Sequence, residues 1–582
     1  MKRAAIASVL ALLAAACATP RTVSAPPGPV TIGVIAINDF HGNLEPPKLS
    51  VIMPIEGGGT AAVPAGGAAW LASAIGSLRA KYENHVTVSA GDLVGASPLV
   101  SAIFADEPTI GVMNSIGLDF DAVGNHEFDS GTAELLRKQN GGCDPFTKWQ
   151  PCQLEKPFKG ATFRFLAANV KRRDGSGTLF PGSAIRTFGT GPRKVTVGFI
   201  GMTLKGTSSL VTAKGIEDVM FTDEAETANA LVPALKAQGA DAVVLLIHEG
   251  GVQSGSGFPG GCEGFSGAIR AIAEKLDPAI DVIVSGHTHR AYVCDGAQLG
   301  LARPLLLTSA GMGGTLVTEI TLEVDPAADR VISARATNWP VQSVAYTGAK
   351  GSVPINSGFD RFEPNREIAE YVARYVKAAE PTATARVGTL SGPAAQAGSG
   401  MGGPLGNLVA DAQLAATKAD GAQIAFTNPF GLRADLVPEA DGSVNFGAVF
   451  AVQPFSNMLV TLDLTGAQIK AALEQGFMTP RREQVLAASQ GFSWTFDRSR
   501  PIGDRVVMMA LNGTLIDPAA HYRVTVNTFL AGGGDGFTVF TQGRQAAGIK
   551  VGDLEALEAW IKAVPVRGIP QEERAIAVTL PR

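Results

Sequence analysis

The sequence is poor in charge, in cysteine and in histidine, and each shortage excludes something. Charged residues make up only 17% of the 582 positions and sum to a net charge of −5. No basic field is available to hold a nucleic-acid backbone, so a nucleotide partner would be a small molecule in a pocket and not a polymer. Cysteine occurs five times, at spacings that do not fit a zinc ribbon. Beyond the N-terminus no uninterrupted apolar run is long enough to span a bilayer. What is present is ordinary globular material, 46% hydrophobic, with 69 glycines and 35 prolines that require many tight turns. A chain of this length exceeds one hydrophobic core and is expected to form two domains.

The N-terminus, MKRAAIASVLALLAAACATP, places Lys2 and Arg3 before a short apolar run and small residues before Cys17. This is the pattern of a secretion signal. Small residues directly before a cysteine resemble a bacterial lipobox, with Ala14 standing where leucine is usual, so residues 1–17 are expected to be a lipoprotein signal peptide and Cys17 the lipidated first residue. The expected location is the periplasm or the outer membrane, with the lipid as the only membrane contact. Ala18 lacks the aspartate associated with inner-membrane retention. Residues 18–29 form a proline-rich tether. Without Cys17, four cysteines remain, an even number suited to an oxidising compartment. Cys143 with Cys152 and Cys262 with Cys294 is the simplest connectivity; spacing alone leaves the others open.

From residue 30 apolar strand-like runs alternate with helical stretches, which implies α/β layers. The polar residues sit where each apolar run ends, the place where open sheets hold ligands. A first domain is expected over 30–345, a linker with a bridging amphipathic helix at 359–381 closed by Pro381 over 346–381, and a second domain over 382–582. Thr465 and Gln468 have capping-box spacing and mark a helix start.

Five of the seven histidines, His41, His126, His248, His287 and His289, fall at the ends of predicted strands. Asp39 and His41 are two residues apart, as are His287 and His289, so in extended chain each pair would leave one face together. Asp92 and Asn125 complete a nitrogen and oxygen set suited to zinc, manganese, iron or cobalt and not to calcium. The set is large enough for two divalent metals, with one carboxylate bridging ions roughly 3.5 to 4 Å apart. Any one of these motifs alone is commonly a turn or a satisfied polar residue. Five in this order are hard to explain as core packing.

The ordered set NDFHG, GD, GNHEFD, H and GHTH resembles the calcineurin-like metallophosphoesterases. With the later GPLGNLVADA, VQPF, GDRV and FLAGGGDGF, the chain resembles the secreted 5′-nucleotidase and UDP-sugar hydrolase family over most of residues 30–545. The resemblance implies a four-layer α/β/β/α metallophosphoesterase domain followed by a smaller α+β C-terminal domain. It implies that Asp39, His41 and His289 hold one metal and Asn125, His248 and His287 the other, with Asp92 bridging. Zinc, manganese or cobalt would suit. His126 would then face the leaving oxygen, Asp129 would orient it, and hydroxide held by the metals would attack phosphorus in line. Glu127 is read as a structural residue or a partner to the ligands.

At the substrate end the resemblance implies that Phe455 and Phe529 sandwich a base, that Asp535 contacts the ribose, and that Asn428 and Arg433 line the pocket. Two departures bear on the substrate. NPFGLR puts Pro429 and Phe430 where relatives have small residues, and GSGMGG at 398–403 lacks the arginines that relatives use to grip phosphate. Nucleoside monophosphates, UDP-sugars and 2′,3′-cyclic nucleotides all stay open as substrates. A related sulfur-compound hydrolase and a nucleotide-binding surface lipoprotein without turnover are the rival readings. Relatives rotate the second domain to carry substrate to the metals, which would make the bridging helix the hinge region.

Overall fold

A computed structural model describes residues 28–579, apart from 56, 255–257, 349–350, 399, 456, 479–482 and 547–550. The signal peptide, Cys17 and most of the tether therefore lie outside the described residues. No described helix is long and apolar enough to cross a membrane.

The first domain is built on two six-stranded sheets. One runs in the order Arg330–Pro340, Leu316–Asp325, Val30–Ile37, His85–Ser89, Phe120–Ala122, Arg164–Leu166. The other runs Ala291–Asp295, Leu306–Ala310, Val282–Ser285, Ala242–His248, Val195–Thr203, Ser183–Phe188. The inner strands are continuous apolar runs because both of their faces are buried. In Val30–Ile37, Ile32, Val34 and Ala36 point into the core between the sheets, while Ile35 and Ile37 point outward beneath helices Ala68–Arg79 and Glu107–Ile116. In Ala242–His248, Val244 and Leu246 meet them from the opposite sheet, and Val243, Leu245 and Ile247 pack under helices Glu224–Ala237 and Ala268–Lys275. The layers are thus α/β/β/α, as the resemblance implied.

The second domain centres on a five-stranded sheet in the order Ala487–Ala488, Ile424–Thr427, His521–Asn527, Leu459–Thr465, Arg544–Gln545, beside a four-stranded sheet around Phe492–Phe496. Thr465 and Gln468 close the expected capping box on helix Gly466–Gln475. The bridging helix differs from its expected span. It starts at Arg366, capped by the Asn365 side chain, and runs through Pro381 to Ala383. Pro364 and the Asn365 cap fix the start; Pro381 removes only one donor in the last turn, and Thr384 N–H still reaches Glu380 O at 2.9 Å. This helix shares one apolar cluster with both domains: Tyr375 and Ala379 pack with Leu99, Ile103 and Phe104 on one side and Leu408, Phe450 and Leu557 on the other.

The cysteines pair as Cys143–Cys152 and Cys262–Cys294. Near the C-terminus, buried Arg574 grips buried Asp411 with two bonds, at 2.6 and 3.0 Å. Removing one member of such a pair leaves the other charge without compensation. Arg574→Ala is expected to lower the unfolding free energy by roughly 3–5 kcal/mol, read as a lower urea midpoint of the second domain.

Candidate metal centre and catalytic dyad

The candidate ligands lie at the carboxyl ends of the strands. Asp39 and His41 follow Val30–Ile37, Asp92 follows His85–Ser89, Asn125 follows Phe120–Ala122, His248 ends its own strand, and His287 and His289 follow Val282–Ser285. Their convergence does not arise from strand alternation, as the two-residue spacing suggested. The strands stop short, and Asp39, His41, Asp92, His287 and His289 all adopt positive φ, between 48° and 70°. Non-glycine residues pay on the order of 1 kcal/mol each for this left-handed backbone. Tertiary bonds hold it in place: Asp39 N–H to Gly91 O and His41 N–H to Asp92 O, both at 2.9 Å, and Gly313 N–H to Asp39 O at 2.7 Å.

Two glycines make the approach possible. A Cβ on Gly124 would lie 2.2 Å from Asp92 Oδ1, and one on Gly91, at φ +89°, would lie 2.7 Å from His248 Nδ1.

The side chains form two outer donor sets, Asp39 with His41 and His289, and Asp92 with His248 and His287, and a third grouping of His41, Asp92 and His126 overlaps both. In the first, His289 Nε2 is 3.3 Å from Asp39 Oδ1 and 3.1 Å from His41 Nε2. In the second, His248 Nε2 is 2.9 Å from Asp92 Oδ2, and His287 Nδ1 is 3.0 Å from Asn125 Oδ1. Asp92 Oδ2 is also 3.7 Å from His41 Nε2, which puts this carboxylate between the sets. Among the described residues, Asp92 Oδ2 and His248 Nε2 are buried with no hydrogen-bond partner other than each other, 2.9 Å apart. Buried donors facing one centre, of mixed imidazole and carboxylate type, fit a pair of transition-metal cations.

The two carboxylates make the field of this centre anionic, so positive charge is favoured between them. Burial opposes ionisation of Asp39 and Asp92, but the surrounding imidazoles outweigh it and keep both carboxyls below their usual range, Asp92 well below. Burial pushes His41 down to about 3, so it is neutral. His248 goes the other way, up to about 10, because Asp92 and Asp39 outweigh its burial.

His126 and Asp129 form a dyad at the mouth of the centre, with Nδ1 2.8 Å from Asp129 Oδ2. Burial disfavours charge on His126, yet Asp129 and Asp92 raise its pKa above the ordinary value. Glu127 is structural: it accepts the backbone N–H groups of Gly124, Leu93 and Asp92 at 2.7, 2.8 and 3.0 Å. Two further positioning residues escaped the sequence reading. Asn38 accepts from Ala310 N–H and donates to Asp39 Oδ2, and Asp121 accepts Gly91 N–H at 3.1 Å. An acidic residue inside the apolar run FDAVG was the available signal for Asp121.

From the second domain, Phe455 stacks on His126 with centroids 5.8 Å apart and planes 17° apart. The Arg433 guanidinium lies 5.8 Å from the same ring and within electrostatic reach of Asp129, Asp92, Asp39 and Asp535. Asn428 donates to Asp535 at 2.7 Å. Phe529 packs on Gly534, where a Cβ would lie 2.6 Å from its ring.

Residues 32–291 match the calcineurin-like phosphoesterase family and residues 381–542 the 5′-nucleotidase C-terminal domain. The chain is 30% identical to Endonuclease YhcR of Bacillus subtilis over 87% of its own length, and spans 38% of that protein. It is 28% identical to Cell wall protein Lmo0130 of Listeria monocytogenes, covering 94% of this chain and 68% of that one. Among solved structures it resembles a 5′-nucleotidase precursor from Thermus thermophilus, with a TM-score of 0.70 and 26% identity over 95% of this chain and 100% of that one. The chain belongs to the calcineurin-like phosphoesterases that carry a 5′-nucleotidase C-terminal domain.

Proposed function

We propose that this chain is a two-metal phosphohydrolase acting on nucleotides or nucleotide-like esters. The observation that carries the reading is the His126–Asp129 pair, 2.8 Å apart, set beside the buried donor sets and covered by an aromatic ring of the second domain. Asp39, His41 and His289 would hold one cation, Asn125, His248 and His287 the other, and Asp92 would bridge them. Zinc, manganese and cobalt suit these donors. When bound, two such cations supply an activated water and offset the charge of the phosphoryl oxygens. His126 is placed to donate a proton to the leaving oxygen, and Asp129 holds the imidazole in the orientation that presents Nε2.

The second domain, within 382–582, supplies recognition on this reading. Phe455 and Phe529 offer faces for a base, Asp535 and Asn428 a polar pair for the sugar, and Arg433 a cation for phosphate. The base-sized ring beside the dyad favours a nucleotide over a small sulfur compound. In the stretch GSGMGG, Gly400 and Gly402 leave no room for a side chain: a Cβ on Gly402 would lie 2.8 Å from Ala487, and one on Gly400 would strike Glu483 O. With no arginine there, Arg433 would carry the phosphate contact. Export accords with the signal pattern and with relatives described as a cell wall protein and a precursor, while lipid attachment at Cys17 rests on the signal pattern alone.

Hydrolysis by the mature protein with manganese, cobalt or zinc, followed as phosphate from AMP and UMP and as loss of the starting ester from UDP-glucose and 2′,3′-cyclic AMP, is expected to be fastest with the nucleoside 5′-monophosphates. Hydrolysis of cyclic nucleotides alone would reassign the substrate, and no turnover with any metal would leave a binding protein. His126→Ala is expected to lower kcat by about 10²- to 10⁴-fold. Chelation should abolish turnover, and added manganese should restore it. Arg433→Ala is expected to raise KM for AMP about tenfold, the size of a charged hydrogen bond; an unchanged KM would remove Arg433 from phosphate recognition.

A further inference from the structure

We propose that Asp553, which no motif marks, is the positioning residue for the aromatic clamp on the base. This deepens the nucleotide reading above and rests on it. Asp553 is 1% exposed and lies in the first turn of helix Asp553–Lys562, whose N-terminal N–H groups favour a carboxylate. One oxygen accepts Leu554 N–H at 2.8 Å, and the other faces Gln453 Nε2 at 3.4 Å. The Asn457 side chain lies close enough to favour the ionised carboxyl, and Asp553 N–H reaches Asn457 O at 2.9 Å.

Gln453 and Asn457 flank Phe455, so Asp553 holds both sides of the ring that stacks on His126. The network continues to the second ring. Asn457 Oδ1 accepts from Thr528 Oγ1 at 3.4 Å, and Met458 exchanges bonds with Thr528 through its N–H at 3.2 Å and its O at 2.7 Å. Thr528 precedes Phe529, so one buried carboxylate ties together the segments that carry both base-facing rings. Burial pushes its carboxyl up to about 7, with Lys148 opposing and Glu555 adding to the rise. A buried carboxyl with hydrogen-bond partners converging on it from two segments is suited to fixing a geometry.

The first domain reaches the same assembly. The loop stapled by Cys143–Cys152 places Lys148 Nζ 3.3 Å from Glu555 on the Asp553 helix and Trp149 against Phe450, three residues before Gln453.

The test compares wild type with Asp553→Asn, which keeps the shape but turns one acceptor into a donor. Calorimetric binding of adenosine and uridine is measured beside manganese-dependent hydrolysis of AMP and of glycerol 2-phosphate, which has no base. The expected result is roughly tenfold weaker nucleoside binding and a similarly raised KM for AMP, with kcat and glycerol 2-phosphate hydrolysis within twofold of wild type. Asn457→Ala cuts the network from its other end and should reproduce the loss, which covers the case in which Asp553→Asn melts early. Unchanged nucleoside affinity in either folded variant, or a parallel fall with both esters, would overturn the proposal, as would wild type that binds no nucleoside. Wild type that binds nucleosides but hydrolyses nothing would sink the hydrolase reading alone, since the binding arm still reads Asp553.

Discussion

The position of the Asp92 carboxylate is the constraint on which the centre depends. It lies between the two donor sets, 2.9 Å from His248 and 3.7 Å from His41, and also accepts His126 N–H at 2.9 Å through Oδ1. One buried anion therefore sets the distance between the donor sets and the distance from them to the dyad. The fold fixes it from behind: Glu127 takes the N–H groups of Asp92 and Leu93, Gly124 leaves room for Oδ1, and the backbone at Asp92 is held at φ +53°. Such an anion in a dry interior would be costly alone, and it is retained because imidazoles surround it.

The four layers explain why that arrangement is rigid. The inner strands are packed on both faces against filled apolar layers, so the loops at their carboxyl ends start from fixed points. The strained backbone at Asp39, His41, Asp92 and His287 is tolerated because bonds tie each to a neighbouring loop. The second domain is attached differently, through a helix whose apolar face packs with both bodies. It brings Phe455 and Arg433 to the dyad but contributes none of the candidate ligands. The candidate donors and the His126–Asp129 pair thus sit in one body, and Phe455 and Arg433 in the other.

Much of this was legible in the chain. The alternating apolar runs, the polar residue at the end of each, the cysteine pairs and the capping box at Thr465 depend on short-range patterns, and the structure contains them. The bridging helix was misjudged at its ends because a cap at Asn365 and tolerance of Pro381 in a last turn depend on local geometry that periodicity does not encode. The reason given for the convergence of Asp39 with His41 was also wrong, since left-handed turns and not an extended strand aim them.

By itself the sequence determined the layered fold and the donor types, because burial period and ligand chemistry belong to the residues themselves. Only the tertiary structure decided that Asp92 stands between the sets, that Glu127 is a backbone support, that Phe455 lies on His126, and that Asp553 faces Gln453. Each of those is a relation between segments that are distant in the chain or turned by strained backbone. Such relations exist only once the strands are packed and their loops are held at fixed separations.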